Sequence, residues 1–211
     1  MRSLKVQGKG RVYAEPDMVT LSFDVESKEK DYKKSVRNLN LRTEDLRKSM
    51  SASGLDKAEL KTTSFSVRVD TKYEDGRHIF VGYIASHELE IDIPMDKDLL
   101  NKVLRQVAQG HSGAQIRLAF TVRDKDALRK KALTQAVQTA RENAETLVAA
   151  AGVKLGKLEH IDYGWAEVHV YDRQASMLCE RMAAGPAYDA DIQPEDVAAV
   201  DNVTLVFEIM E

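Results

Sequence analysis

Between Val19 and Val25 the chain alternates without a break: Val19, Leu21, Phe23 and Val25 are apolar, and Thr20, Ser22 and Asp24 between them are polar. A period of two puts the two sets on opposite faces of an extended strand, one in a core and one in solvent. The pattern returns from Glu59 to Ile93 as two long runs joined at Glu74-Asp75-Gly76-Arg77. Asp-Gly between alternating runs signals a tight hairpin, because both residues tolerate the positive φ such a turn needs. A sheet with one apolar face follows, and the rest of the chain must supply its cover.

That cover reads as helical. From Asp31 to Ser53, Tyr32, Val36, Leu39, Leu46 and Met50 fall on one stripe with Thr43 in the gap, and Gly54 ends the helix. Pro94-Met95-Asp96 opens a second helix with Asp96 as N-cap; Leu99, Leu100, Val103, Leu104 and Val107 form its apolar face and Gly110 closes it. A third helix, Lys125 to Ala151, carries Ala127, Ala132, Ala136, Ala140, Ala144 and Ala151. Its small residues allow close packing, its buried side is read as Leu128, Leu133, Val137, Leu147 and Val148, and Gly152 stops it. Further strands are expected at Leu4–Tyr13, Ala114–Val122, Leu158–Val170 and Val203–Ile209.

The order is ββ-α-ββ-α-β-α-β-β, an α+β class with antiparallel or mixed sheet and three helices. Leu21 to Val122 has the element sequence of a ferredoxin-like unit. The whole chain, 1–211, is taken as a single domain with a long irregular segment at 171–199. A connection of that length in a compact domain is usually functional or part of an assembly.

Composition narrows the function. Basic and acidic residues number 31 and 34 and are mixed along the chain, giving a net charge of -3. Without a basic patch, nucleic acid is not expected as a partner. Cys179 is the only cysteine, so there is no intrachain disulfide. No apolar run approaches the roughly 20 residues a membrane-spanning helix needs. The start, MRSLKVQGKG, has no apolar signal-peptide centre. As it stands the chain reads as cytoplasmic, and as periplasmic or envelope-associated if a signal peptide has been removed.

Gly8-Lys9-Gly10 is the one hint of a phosphate loop, and it fails the test. A P-loop or dinucleotide turn leads into a helix, whereas an alternating strand follows here. The glycines therefore permit a bend, a bulge or a close crossing of another backbone, and Pro16-Asp17 turns the chain into the second strand. His78, His87, His111, His160 and His169 lack metal-ligand spacing and read as surface or half-buried. The paired carboxylates fall in turns and helix first turns, where solvation explains them. Gly-x-Ser-x-Gly is absent, and Cys179 has no histidine close in sequence. No catalytic, cofactor-binding or metal residue is assigned. In the irregular segment Met177, Leu178, Met182, Pro186 and Tyr188 form a candidate interaction surface. Their side chains either fill the protein's own core or offer a flexible apolar contact to another subunit.

Three stretches together resemble the SIMPL-domain family. VQGKGRVYAEPDMVTLSF is similar to the family's Val-x-Gly-x-Gly opening, Pro-Asp step and alternating strand. Gly82-Tyr83-Ile84-Ala85 resembles its Gly-Tyr-x-Ala strand, and ALTQAVQTARENAETLVAAAGVKLGKLEHI its Ala-rich helix ending in Gly-x-x-Leu-Gly. The resemblance runs from about residue 4 to residue 209. It departs from the family at Pro194-Glu195-Asp196, where Pro-Gly-Glu is common, and in lacking a signal peptide. It implies a bacterial protein of periplasmic or outer-membrane-associated antigen type, a tendency to oligomerise, no established catalytic residues, and a role in envelope or stress physiology. A eukaryotic branch linked to pelle-like kinase signalling implies an adapter as the alternative. The functional expectation is a non-enzymatic, self-assembling or scaffold protein, ahead of an adapter for a protein partner and of an unrecognised hydrolase or metal-dependent enzyme.

Overall fold

The structure is a computed structural model that describes residues 2–74, 76–164 and 193–211. Met177, Leu178, Met182, Pro186 and Tyr188 lie outside the described residues, as do Cys179 and His169. The chain forms two compact units: Met1–Pro16, Thr121–Arg173 and Glu195–Glu211 make the first, and Asp17–Phe120 with Gln174–Pro194 the second. The elements follow the expected order: β1 (Ser3–Ala14), β2 (Met18–Glu29), α1 (Tyr32–Ser53), β3 (Lys61–Glu74), β4 (Arg77–Pro94), α2 (Lys97–Gln109), β5 (Gln115–Thr121), α3 (Lys125–Ala151), β6 (Lys154–Asp162) and β7 (Val197–Met210). The α+β class is confirmed.

In the second unit the sheet order is β3-β4-β2-β5, with β4 antiparallel to both β2 and β3. This is the ferredoxin-like arrangement that the β-α-β-β-α-β sequence of elements predicts. The alternating residues Val19, Leu21, Phe23 and Val25 are fully buried, in one cluster with Leu39, Leu46 and Met50 of α1 and Leu100, Val103 and Leu104 of α2. Each such side chain removed from water contributes about 1.5–3 kcal/mol. The helices start where their caps dictate. Asp31 accepts a hydrogen bond from the Lys34 N–H, and Asp96 accepts from the N–H groups of Asp98 and Leu99. Tyr32 departs from its expected place on the α1 stripe: it is half exposed, while Ser35, Ser49 and Ser53 line the buried side. Small side chains there bring the helix close to its neighbours.

In the first unit β7 is the central strand, antiparallel to β1 and β6. It starts at Val197, so the last strand begins earlier than expected. The Gly8-Lys9-Gly10 stretch forms no bulge. β1 pairs with β7 in unbroken register from Ser3↔Glu208 to Ala14↔Val197. The glycines serve a close approach instead. A Cβ on Gly8 would lie 2.0 Å from the Ala136 carbonyl oxygen, and one on Gly10 1.8 Å from that of Ala132. Helix α3 thus rests its backbone directly on the strand.

The buried face of α3 is correspondingly Leu128, Ala132, Ala136, Ala140, Ala144 and Val148. Val137 and Leu147, read from sequence as buried, are exposed, and Leu133 is half-buried. The contact with glycines selects alanines, because a leucine would hold the helix away from the strand. Pro16 and Asp17, read as a turn that separates two successive strands, mark the passage from the first unit to the second. The Asp17 carbonyl accepts from the Met95 N–H, within the second unit.

Candidate interaction surface

Among the described residues, the hairpin of β3 and β4 holds the largest group of exposed apolar side chains. Its turn is the expected one, with Gly76 at φ +78° between Glu74 and Arg77. The register places Phe65 beside His87, Val67 beside Ala85 and Val69 beside Tyr83, so these share the face that α1 and α2 cover farther along. Past the shift at Asp70/Thr71, Thr71 faces Phe80 and Tyr73 faces His78. On this part of the hairpin the cover has run out. Phe65, Val69, Tyr73 and Phe80 are each at least half exposed, and Ile79 and Val81 nearly so.

Ring contacts hold the row in place. Phe80 meets Tyr83 edge-on at 5.4 Å between centroids, Tyr83 meets Tyr32 at 5.6 Å, and Tyr73 meets His78 at 5.1 Å. The exposed position of Tyr32 thus has a reason: it sits against Tyr83 rather than in the core. Gly82 lets β4 pass close to β2, since a Cβ there would lie 2.5 Å from the Glu29 carbonyl oxygen. Sequence reading treated Phe65, Val67 and Val69 as ordinary alternating strand. The available signal was length, since β3 and β4 run 14 and 18 residues while β2 has 12 and β5 has 7.

Two polar constellations were not expected. His87 is buried in the second unit, deeper than its sequence reading. Both ring nitrogens meet hydroxyls, Nδ1 at 3.2 Å from Thr43 Oγ1 and Nε2 at 2.8 Å from Thr62 Oγ1. Burial, with Arg47 second, lowers its pKa. In the first unit Tyr163 donates to Asp201 Oδ2 at 3.0 Å, and the Asn202 N–H donates to Oδ1 at 2.8 Å. Burial, and then Asp201, raise the Tyr163 pKa, so the phenol remains a donor at neutral pH. Both constellations give buried polar groups hydrogen-bond partners.

A cavity of about 640 Å³ in the first unit is lined by Gln7, Gly8, Lys9, Asp162, Gly164, Asp201, Asn202, Val203 and Thr204. Among the described residues no group of three or more His, Cys, Asp or Glu side chains is placed to hold a metal ion. No helix among them is long and apolar enough to cross a membrane.

Residues 4–207 match the SIMPL family, described as a protein of unknown function (DUF541). The chain belongs to the SIMPL family. Among its relatives is the Uncharacterized protein YggE of Escherichia coli (strain K12), 25% identical over 205 residues that cover 96% of this chain and 81% of the relative. The protein of the same description from Edwardsiella ictaluri (strain 93-146) is 25% identical over 208 residues, covering 96% and 84%. The SIMPL match takes in segments of both units, including Gly8, Gly10, Pro16, Asp17, Gly82 and Tyr83. In this SIMPL chain the two glycines of the opening stretch are seats for helix α3.

Proposed function

We propose that the chain is a non-enzymatic, self-assembling protein that works as a scaffold built from copies of itself. The observation that carries this reading is the exposed apolar row on the β3–β4 hairpin, which solvent alone does not favour. Its residues are held by ring contacts and by the β3–β4 ladder, so the surface is formed before any partner arrives. An envelope or stress-related setting belongs to the same reading, on the strength of the family resemblance.

Sedimentation velocity across a wide concentration range tests it. The expected result is a species heavier than the 23.6 kDa chain, shifting to the single chain in Phe65→Ser/Tyr73→Ser with the thermal transition retained. A wild-type protein that sediments as one 23.6 kDa chain at every concentration would overturn the proposal.

A further inference from the structure

Strand β3 ends the sheet order β3-β4-β2-β5, so among the described residues no strand pairs with its outer edge. From Ser64 to Glu74 its ladder with β4 is interrupted once, between Asp70 and Thr71, where Val81 is the extra residue on the β4 side. β3 itself therefore runs regularly over about 36 Å. It contains no proline, and its outer edge presents unpaired backbone N–H and C=O groups along that length. Such an edge is a template for another strand unless something blocks it.

The side chains say which strand fits. One face carries Phe65, Val67, Val69, Thr71 and Tyr73; the other carries Arg68, Asp70, Lys72 and Glu74, alternating in sign at every second residue. When two copies of this strand pair antiparallel about a two-fold axis, the charge pattern accepts some registers and rejects others. Centred on Asp70, like charges oppose each other: Asp70 meets Asp70, and Arg68 meets Lys72. Centred on Val69, Arg68 meets Asp70 on both sides of the axis, Phe65 meets Tyr73, Val67 meets Thr71, and the regular strand overlaps from Ser64 to Glu74. Centred on Thr71, charges also match, but the overlap shrinks to residues 68–74. A shift by an odd number of positions sets the apolar face of one strand against the charged face of the other.

We propose that β3 pairs edge to edge with β3 of a second copy, antiparallel about a two-fold axis through Val69. This rests on the self-assembly reading and gives it a surface and a register. Directly opposed cross-strand pairs are the units that stabilise a sheet, and here two ion pairs and two aromatic pairs form by symmetry. The exposed apolar rows of the two hairpins become one continuous row across the joint.

Cysteine cross-linking in a Cys179→Ser background reads the register directly. Val69→Cys is expected to give a covalent dimer under mild oxidation, whereas Asp70→Cys and Thr71→Cys give little. Val69 is 53% exposed, so the substitution leaves the core intact. Charge exchange is the second measurement. Arg68→Asp is expected to weaken association about ten-fold, and Arg68→Asp/Asp70→Arg to restore it, because the exchanged pair again opposes unlike charges. The outcomes separate cleanly. Dimers from Asp70→Cys or Thr71→Cys in preference to Val69→Cys overturn the register. No cross-link at any position, in a protein that still sediments as an assembly, overturns β3 pairing and leaves self-assembly standing. No cross-link in a protein that sediments as a single chain removes both.

Discussion

At the scale of single residues, His87 shows what a strand pattern conceals. It falls in phase with Ala85, Leu89, Ile91 and Ile93, all buried, so the alternation already placed it in the core. Residue type argued the other way, because histidine is usually at least partly wet. Two threonines from separate elements decide the matter by meeting both ring nitrogens, and that pairing is invisible until the elements are assembled. The pKa lies below the ordinary 6.5, through burial first and Arg47 second, and this has a definite pH consequence. As pH falls through about 6.5 the unfolded chain takes up a proton that the folded ring resists, so the unfolded state gains. The stability linked to His87 is thus complete above that pH and declines below it, toward the lower folded value. Thermal unfolding of wild type and His87→Gln over a pH series should show a steeper acid-side decline in wild type. Parallel curves would disprove the assignment.

At the scale of elements, the contact of α3 with β1 is governed by what is missing. Gly8 and Gly10 lack a Cβ, and Ala132, Ala136 and Ala140 have nothing beyond one. Gly10→Ala and Ala136→Leu attack this contact from opposite sides, and each is expected to cost about 3 kcal/mol through overpacking against backbone. Leu147→Ser, on the exposed side of the same helix, should stay within about 0.5 kcal/mol of wild type. Chemical denaturation of the three variants checks the contrast, and a Leu147→Ser loss as large as the other two would contradict it. The C-terminal end of α3 was legible because a Gly152 stop is a local signal, and the structure adds the Asp124 cap at its start. Its buried face was not, because hydrophobicity favours leucine over alanine and the preference reverses only once the surface beneath is known to be glycine. For the β3–β4 hairpin the turn was legible for the same local reason. Its exposed row was not, since alternation reports that a face is apolar without reporting where its cover ends. The interaction surface read from Met177, Leu178, Met182, Pro186 and Tyr188 falls outside the described residues.

At the scale of the molecule, the two units differ in how the chain builds them. The described core of the second unit, from Val19 to Phe120, is one continuous stretch of sequence. A fragment spanning residues 17–120 is therefore expected to unfold in a single cooperative transition. A gradual, featureless melt would show that its core is insufficient alone. The first unit is assembled from separated stretches, with Ser3 on β1 paired to Glu208 on β7. The sequence shows Pro16-Asp17 as a turn between two successive strands and does not show whether the two strands pair. Adjacent strands along a chain usually are neighbours in space, and nothing local announces that these two belong to different sheets.

The central place of β7 has a consequence for how the protein is made. β1 is made before the whole of the second unit's described core, yet its hydrogen-bonding partner β7 follows every other described element. The second unit can form while synthesis continues, but β1 must wait with its backbone unpaired. A stop codon a few residues before Val197 would therefore remove the middle of a sheet and not its margin, leaving β1 and β6 without the strand that joins them.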